Sequence, residues 1–203
     1  MGLRERKKLA TRRALREAAV RLTLERGLEN VTVEAISAEA DVSPRTFFNY
    51  FATKEDALLD DVPVSLDEEA HAAFVAGGPT GVFTDDLGSL LMASLVVSGD
   101  LGKQRAEIAL RRQLIDREPH LLPGLLGRFH DVERSVAAAI AERAGVPADD
   151  TRSQVAAAAA MSSMRQSMKM VPEQAEEGID ELRAHLGQAF RTLGEVFAPE
   201  RRG

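Results

Sequence analysis

Apolar residues recur along this chain at spacings of three and four, and no stretch alternates with the period of two that marks a strand. The expected fold class is therefore all-α. From Arg4 to Glu25, residues Leu15, Ala18, Ala19 and Leu22 form one face of an amphipathic helix that Gly27 ends. Thr32 is placed to cap a short second helix in which Ile36 and Ala40 lie one turn apart. Asp41 and Val42 break that helix, and Ser43 with Pro44 starts the next. The Ser43 hydroxyl can accept an otherwise orphaned N–H, and Pro44 suits the first helical position because no donor is needed there. In the helix so started, Phe47 and Phe51 can turn inward with Ile36 and Val42, while Pro44, Arg45, Phe48 and Asn49 point elsewhere. The pattern predicts three helices around Leu15, Ala19, Leu22, Val31, Ile36, Val42, Phe47 and Phe51. About fifty residues is marginal for an independent domain, so this head is expected to lean on the helices C-terminal to it.

Beyond it, Thr53 and Asp56 form a capping-box-like start for a fourth helix through Ala57, Leu58 and Leu59. Pro63 predicts a break between Val62 and Ser65, after which Ser65 and Glu68 make a second capping signature for helix to about Ala76. Gly77, Gly78, Pro79 and Gly81 mark a loop. Helices are then expected around Leu87, Leu90, Leu91, Ser94 and Leu95; from Lys103 to Arg117, ended by Pro119; and from Leu122 past Ile140, closed by Gly145 and Pro147. A helix from about Asp149 to Met170 carries small residues on every face, which permits close helix approach. After a turn at Val171 and Pro172, Ile179, Leu182, Leu186, Ala189, Leu193 and Val196 form a near-heptad stripe. Such a pair suits a four-helix seam between two copies, or an intramolecular core, and periodicity taken alone favours the core.

Composition narrows the function. With 44% hydrophobic and 29% charged residues and no apolar run of membrane-spanning length, the chain reads as soluble. Its basic N-terminus lacks an apolar signal core and a cleavage site, so the expected location is the cytoplasm. The absence of cysteine removes disulfides, thiolate metal sites and thiol switches. A net charge of −6 suits a nucleic-acid binder poorly until it is divided. Residues 1–54 carry 11 Lys and Arg against 7 Asp and Glu, a net of +4, and the remainder carries −10. A basic head on an acidic body orients an encounter with phosphates, although Arg4, Arg6, Lys7, Lys8, Arg12 and Arg13 would equally make a solvated helix face. The histidines at 71, 120, 130 and 185 show no zinc spacing, and His130 with Glu133 makes no ligand set. No nucleophile motif and no phosphate-cradling glycine loop is present. The expectation is no cofactor, no metal and no enzymatic activity.

Thr32, Ile36, Ala40, Val42, Ser43, Thr46, Phe47, Tyr50, Phe51, Lys54 and Glu55 resemble, at fixed spacing and without a gap, the TetR family of one-component transcriptional regulators. The resemblance covers about the first quarter of the chain. It implies a helix-turn-helix DNA-binding domain over residues 1–52 and a helical ligand-binding and dimerisation domain over 53–203. The implied partners are double-stranded DNA carrying a near-palindromic operator, a small-molecule effector and a second copy of the chain. Two positions depart from the family: Asp41 stands where Gly is usual, and Phe48 where a Tyr usually offers its hydroxyl to a phosphate. The DNA-binding residues are then Thr32, Val33, Ser43, Pro44, Arg45, Thr46, Phe48, Asn49, Tyr50 and Lys54. Arg45, in the first turn of the second helix of the motif, is placed to fork onto a guanine, whereas Thr46 and Lys54 match phosphate-facing positions. Asn49 suits either role, and Tyr50 suits a phosphate.

The same resemblance places an effector pocket in the body, where Phe74, Phe83, Met92, Leu95, Phe129, Met161 and Met164 are the apolar candidates and Arg111 or Arg112 could meet an anion. Periodicity does not separate a cavity lining from a filled core. The implied dimer seam uses the last two helices, through Val155, Ala159, Leu182, Leu186, Phe190 and Leu193. The reading is a DNA-binding regulator, a repressor released by a small molecule. Two other classes stay open: a helical interaction module that never engages DNA, and a small helical enzyme, against which the missing acid, base and nucleophile clusters weigh.

Overall fold

The computed structural model of the protein describes residues 2–60, 66–95, 101–170 and 178–196. Ten α-helices and no strand occur among them: α1 (Leu3–Arg26), α2 (Val33–Glu39), α3 (Pro44–Phe48), α4 (Lys54–Leu58), α5 (Glu68–Val75), α6 (Phe83–Leu95), α7 (Leu101–Arg117), α8 (Leu122–Ala144), α9 (Thr151–Met170) and α10 (Gly178–Val196). Short 3-10 turns at Leu28–Asn30 and Pro119–Leu121 precede α2 and α8. The expected break at Pro63 and the turn at Val171 and Pro172 lie outside the described residues.

Local chemistry explains most helix starts. The Thr32 hydroxyl accepts the Ala35 N–H at 3.1 Å, Ser43 accepts that of Thr46 at 3.1 Å, and Thr53 and Asp56 cap each other reciprocally ahead of α4. α5 starts differently from expectation. Its N-cap is Asp67, whose carboxylate accepts the Ala70 N–H at 2.9 Å, and Ser65 of the expected capping pair lies outside the described residues. A carboxylate is the stronger acceptor and also suits the positive end of the helix.

The chain forms two compact units, Met1–Val62 with Glu107–Gly127, and Pro63–Ala106 with Arg128–Gly203. The first unit therefore runs past residue 52 and recruits a distant segment. Its core joins Leu15, Ala19, Leu22, Leu28, Val31, Ile36, Phe47, Phe51 and Leu58 to Leu114 and Leu121. Recruiting these two leucines enlarges a core that three short helices could not fill alone. The added segment is also held by polar bonds. Glu118 accepts the Leu28 N–H at 2.7 Å, and Arg16, almost buried, pairs with Glu107. Gly124 lets the start of α8 approach the C-terminal end of α4 closely, since a Cβ there would lie 3.1 Å from Cδ1 of Leu59, the residue that follows the helix.

In the second unit α10 packs on α9 and α6, and α5 on α6. Its core contains Phe74, Leu90, Leu91, Val132, Val136, Ile140, Ala157, Ala160, Met161, Met164, Leu182 and Leu186. The small residues of α9 admit the bulkier stripe of α10, and Gly88 of α6 sits where a Cβ would touch Leu186 and Phe190 at 3.7 and 3.8 Å. A partly buried ion pair ties α8 to α5 and α6, and Asp86 also holds the loop before α6 by accepting from the Thr80 N–H at 2.6 Å and hydroxyl at 2.8 Å. Arg143 donates to Asp86 at 2.8 Å and to the Phe74 carbonyl at 3.1 Å, and its guanidinium lies 4.7 Å from the Phe74 ring centre.

Four residues of the expected seam pack in or against this core. Leu182, Leu186 and Phe190 are buried within a single chain, at 0, 1 and 9% exposure, and Leu193 packs partly buried against the same core. A side chain with no accessible surface in one copy is not available to another. Leu182 and Leu186 lie on the inner face of α10. Val155, at 63% exposure, points outward from α9, and Ala159 is half-buried.

Candidate nucleic-acid interface

α2 and α3 meet through a tight turn set by Asp41, the one described non-glycine residue with positive φ, at 54°. Its place in the left-handed region accounts for the glycine usual at this position, and Asp is among the residues that tolerate it. The Val42 N–H donates to the Ser37 carbonyl at 2.9 Å and closes the turn. α3 then starts at a fixed residue, because the Ser43 cap and Pro44 set its first turn.

Burial divides α3 by side. Phe47 is fully buried and contacts Phe51 with ring centres 5.6 Å apart, which anchors the helix on the head core. Pro44, Arg45, Phe48 and Asn49 are exposed, while Thr46 and Tyr50 are half-buried. The outward group is thus the one expected from sequence. The Thr46 hydroxyl lies 2.9 Å from the Ser43 hydroxyl, so the two share a hydrogen bond at the helix start. Thr32 and Ser43 serve as caps, and Val33 is half-buried against the head core.

Beside α3 lies a cleft of about 540 Å³ lined by Arg4, Glu5, Lys7, Lys8 and Thr11 of α1 with Thr46, Asn49 and Tyr50. The α1 residues were not among the site residues expected from sequence, where they read equally well as a solvated face. Ion pairing divides these cations in two groups. Arg12 makes a bidentate bond with Asp60, at 2.8 and 2.5 Å, Arg13 pairs with Glu17 at 2.7 Å, and Arg21 pairs with Glu25 and Glu39. Arg4, Arg6, Lys7 and Lys8 have no ion-pair partner among the described residues. The cations left without carboxylates collect at the end of α1 that flanks α3, where charge is available to phosphates. The signal in the sequence was the absence of acidic residues four positions on from these cations, against Arg13–Glu17 and Arg21–Glu25 further along.

Lys54 has a second role. Its ammonium donates to the carbonyls of Leu28 at 2.6 Å and Val31 at 2.9 Å, which leaves one N–H for any phosphate. Together with Glu118 on the Leu28 N–H, it clamps the turn between α1 and α2.

The residues expected around an effector separate. Phe74, Met92, Met161 and Met164 are buried in the second unit's core, Phe83 is 40% exposed with its ring centre 5.9 Å from that of Phe74, and Phe129 is half-buried. Arg111 and Arg112 belong to the first unit. The Leu95 side chain lies outside the described residues. No group of three or more metal-ligating side chains occurs among the described residues, and none of their helices is long and apolar enough to cross a membrane.

A capped helix-turn-helix whose second helix exposes Arg45, Phe48 and Asn49, with cations alongside that have no ion-pair partner among the described residues, is the arrangement of a DNA-binding regulator. Residues 15–60 match the family model of bacterial regulatory proteins of the tetR family, and residues 83–198 match the model described as the MftR C-terminal domain. The chain is 37% identical over 156 residues to the HTH-type transcriptional regulator TcmR of Streptomyces glaucescens, a stretch covering 73% of this chain and 67% of that protein. Among solved structures it is similar to GusR of Salmonella enterica, with 19% identity, 92% and 94% of the two chains covered and a TM-score of 0.49. It is also similar to the multidrug binding protein EbrR in complex with imidazole, with 22% identity, 88% of each chain covered and a TM-score of 0.38. The protein belongs to the TetR family of DNA-binding transcriptional regulators. Members of this family bind DNA and small-molecule ligands, act as dimers and are in general not enzymes.

Proposed function

We propose that the protein is a homodimeric cytoplasmic repressor that binds a near-palindromic operator and is released from it by a small molecule. The observation that carries the DNA half of this reading is the division of α3, with Phe47 fully buried and Arg45, Phe48 and Asn49 exposed, next to a cleft lined by Arg4, Lys7 and Lys8 of α1, which have no ion-pair partner among the described residues. Arg45 reads a guanine edge, Asn49 reads a base or holds a phosphate, and Thr46, Tyr50 and the α1 cations hold the backbone. Two heads related by a two-fold axis then require half-sites about one helical turn, roughly 34–36 Å, or a multiple of it apart.

The effector half rests on the core around Phe74, Met92, Met161 and Met164. Methionine side chains repack at low cost, so a core containing three of them can open for an apolar ligand more readily than one of branched residues. Release is linkage: a ligand that binds better to the form with badly spaced heads lowers operator affinity by that difference, and DNA lowers ligand affinity equally. The seam is the outer face of α9, with Val155, Ala158 and Ser162, together with the exposed side of α10 around Ala184.

The test is a fluorescence titration of the full chain with its own upstream DNA across a salt series. Saturable binding that prefers this sequence over scrambled DNA and weakens steeply with salt is expected. Affinity that is equal for both sequences and flat in salt would leave a helical interaction module as the better account.

A further inference from the structure

We propose that Phe48 reads the 5-methyl group of a thymine, giving each half-site one position where recognition is apolar. The inference rests on the DNA-binding reading of α3 and extends it. Phe48 is 58% exposed, on a helix whose other aromatic, Phe47, is fully buried. It follows Arg45 by three positions, so the two side chains share one edge of α3. The ring is braced edge-on against Phe47, with centres 5.5 Å apart and planes at 86°, and Phe47 is in turn packed on Phe51. An exposed phenyl group braced in this way contributes little to the head core. It also has no donor or acceptor, so it can hold neither a phosphate nor a base through hydrogen bonds. On the major-groove edges of the four base pairs the apolar group on offer is the thymine methyl, and phenylalanine is among the side chains that contact it.

Uracil tests this directly, because it pairs as thymine does and lacks only the methyl group. The probe is a duplex recovered by the full-length wild-type protein from a random-sequence pool, with each thymine then replaced singly by uracil. The expected result is one thymine per half-site at which the change weakens wild-type binding about fourfold, the effect of losing one buried methyl group. In Phe48→Ala that same change should be silent, and the variant should bind the unmodified duplex more weakly than wild type does. Since the side chain is largely exposed, Phe48→Ala should unfold at the wild-type urea midpoint, and the wild-type uracil series stands without the variant. Indifference of the wild type to every uracil, or a uracil effect that persists in Phe48→Ala, overturns the inference and leaves DNA binding intact. A pool that yields no enriched duplex overturns the DNA-binding reading, and this inference falls with it.

Discussion

The Lys54 ammonium donates to the Leu28 carbonyl at 2.6 Å, so a residue proposed to face a phosphate also holds together the turn between α1 and α2. Hydrogen bonds from a charged donor contribute about 1.5–3 kcal/mol, and Lys54 makes two, to Leu28 and Val31. Lys54→Met should therefore lower the stability of the free protein by a few kcal/mol, on the order of that range, and weaken binding to all DNA sequences alike. Urea unfolding of the free protein checks this. An unchanged midpoint together with a shallower salt slope would return Lys54 to phosphate contact alone.

Arg45 is expected to act on one base pair. It is exposed, and no described carboxylate pairs with it, so the fork of its guanidinium is available to a guanine's O6 and N7. Arg45→Ala should cost about 1–3 kcal/mol at the operator and relax preference at one position per half-site, with nonspecific binding nearly unchanged. A binding profile across all single-base operator variants measures it. Unchanged preference would assign Arg45 to the backbone and the reading to Asn49 or to DNA shape.

The motif was legible because its determinants are local. Caps at Thr32, Ser43 and Thr53 and the inward pair Phe47 and Phe51 each act within four residues, a distance over which sequence spacing fixes geometry. What was not legible depends on distant partners. That Leu114 and Leu121 complete the head core, that Glu118 holds the Leu28 N–H, and that Lys54 faces two carbonyls all link positions 23 or more apart. What covers the stripe of α10 was open in the sequence for a related reason. Spacings of three and four describe a helix face that is buried, and they do not state whether the same chain or a second copy buries it.

Asp41 carries a removable strain. Its φ of 54° is costly for a side-chain-bearing residue, though less so for Asp than for most. Asp41→Gly should stabilise the head by about 0.5–1 kcal/mol after glycine's greater loss of chain entropy, and Asp41→Val should destabilise it by more than that. Denaturant midpoints of the two variants should fall on opposite sides of wild type. Two midpoints on the same side would mean that the Asp side chain makes a contact that outweighs the backbone term.

The seam can be tested against the core. Val155 and Ala158 face outward from α9, whereas Leu186 is buried at 1% exposure between α10 and its neighbours. Val155→Glu with Ala158→Glu should give a helical monomer by sedimentation and circular dichroism, because paired carboxylates on facing surfaces repel and lose solvation. Leu186→Ala should cost about 2–5 kcal/mol of stability, the usual effect of a cavity in a core, and leave the folded fraction dimeric. A folded dimer of the double glutamate variant would move the seam elsewhere, and a folded monomer of Leu186→Ala would restore α10's stripe to it.

Asp86 gives the second unit an acid-sensitive point. Burial pushes its carboxyl pKa up, but the Thr80 N–H at 2.6 Å, Arg143 at 2.8 Å and the Thr80 hydroxyl at 2.8 Å together outweigh it and hold the group below its ordinary value. A carboxylate whose folded pKa lies below its unfolded one binds fewer protons in the native state, so stability rises with pH through that window. The contribution is complete above the unfolded value of about 3.9 and is lost as pH falls through the depressed folded value. Asp86→Asn removes the charge at every pH and leaves Arg143, at 14% exposure, without its counter-ion. The variant should therefore melt well below wild type at pH 7, and the gap should narrow as the pH is lowered past 4. Melting temperatures of the two proteins at a series of pH values measure the gap, and one that stays constant across the series would show that the carboxylate's charge contributes nothing to holding the loop before α6.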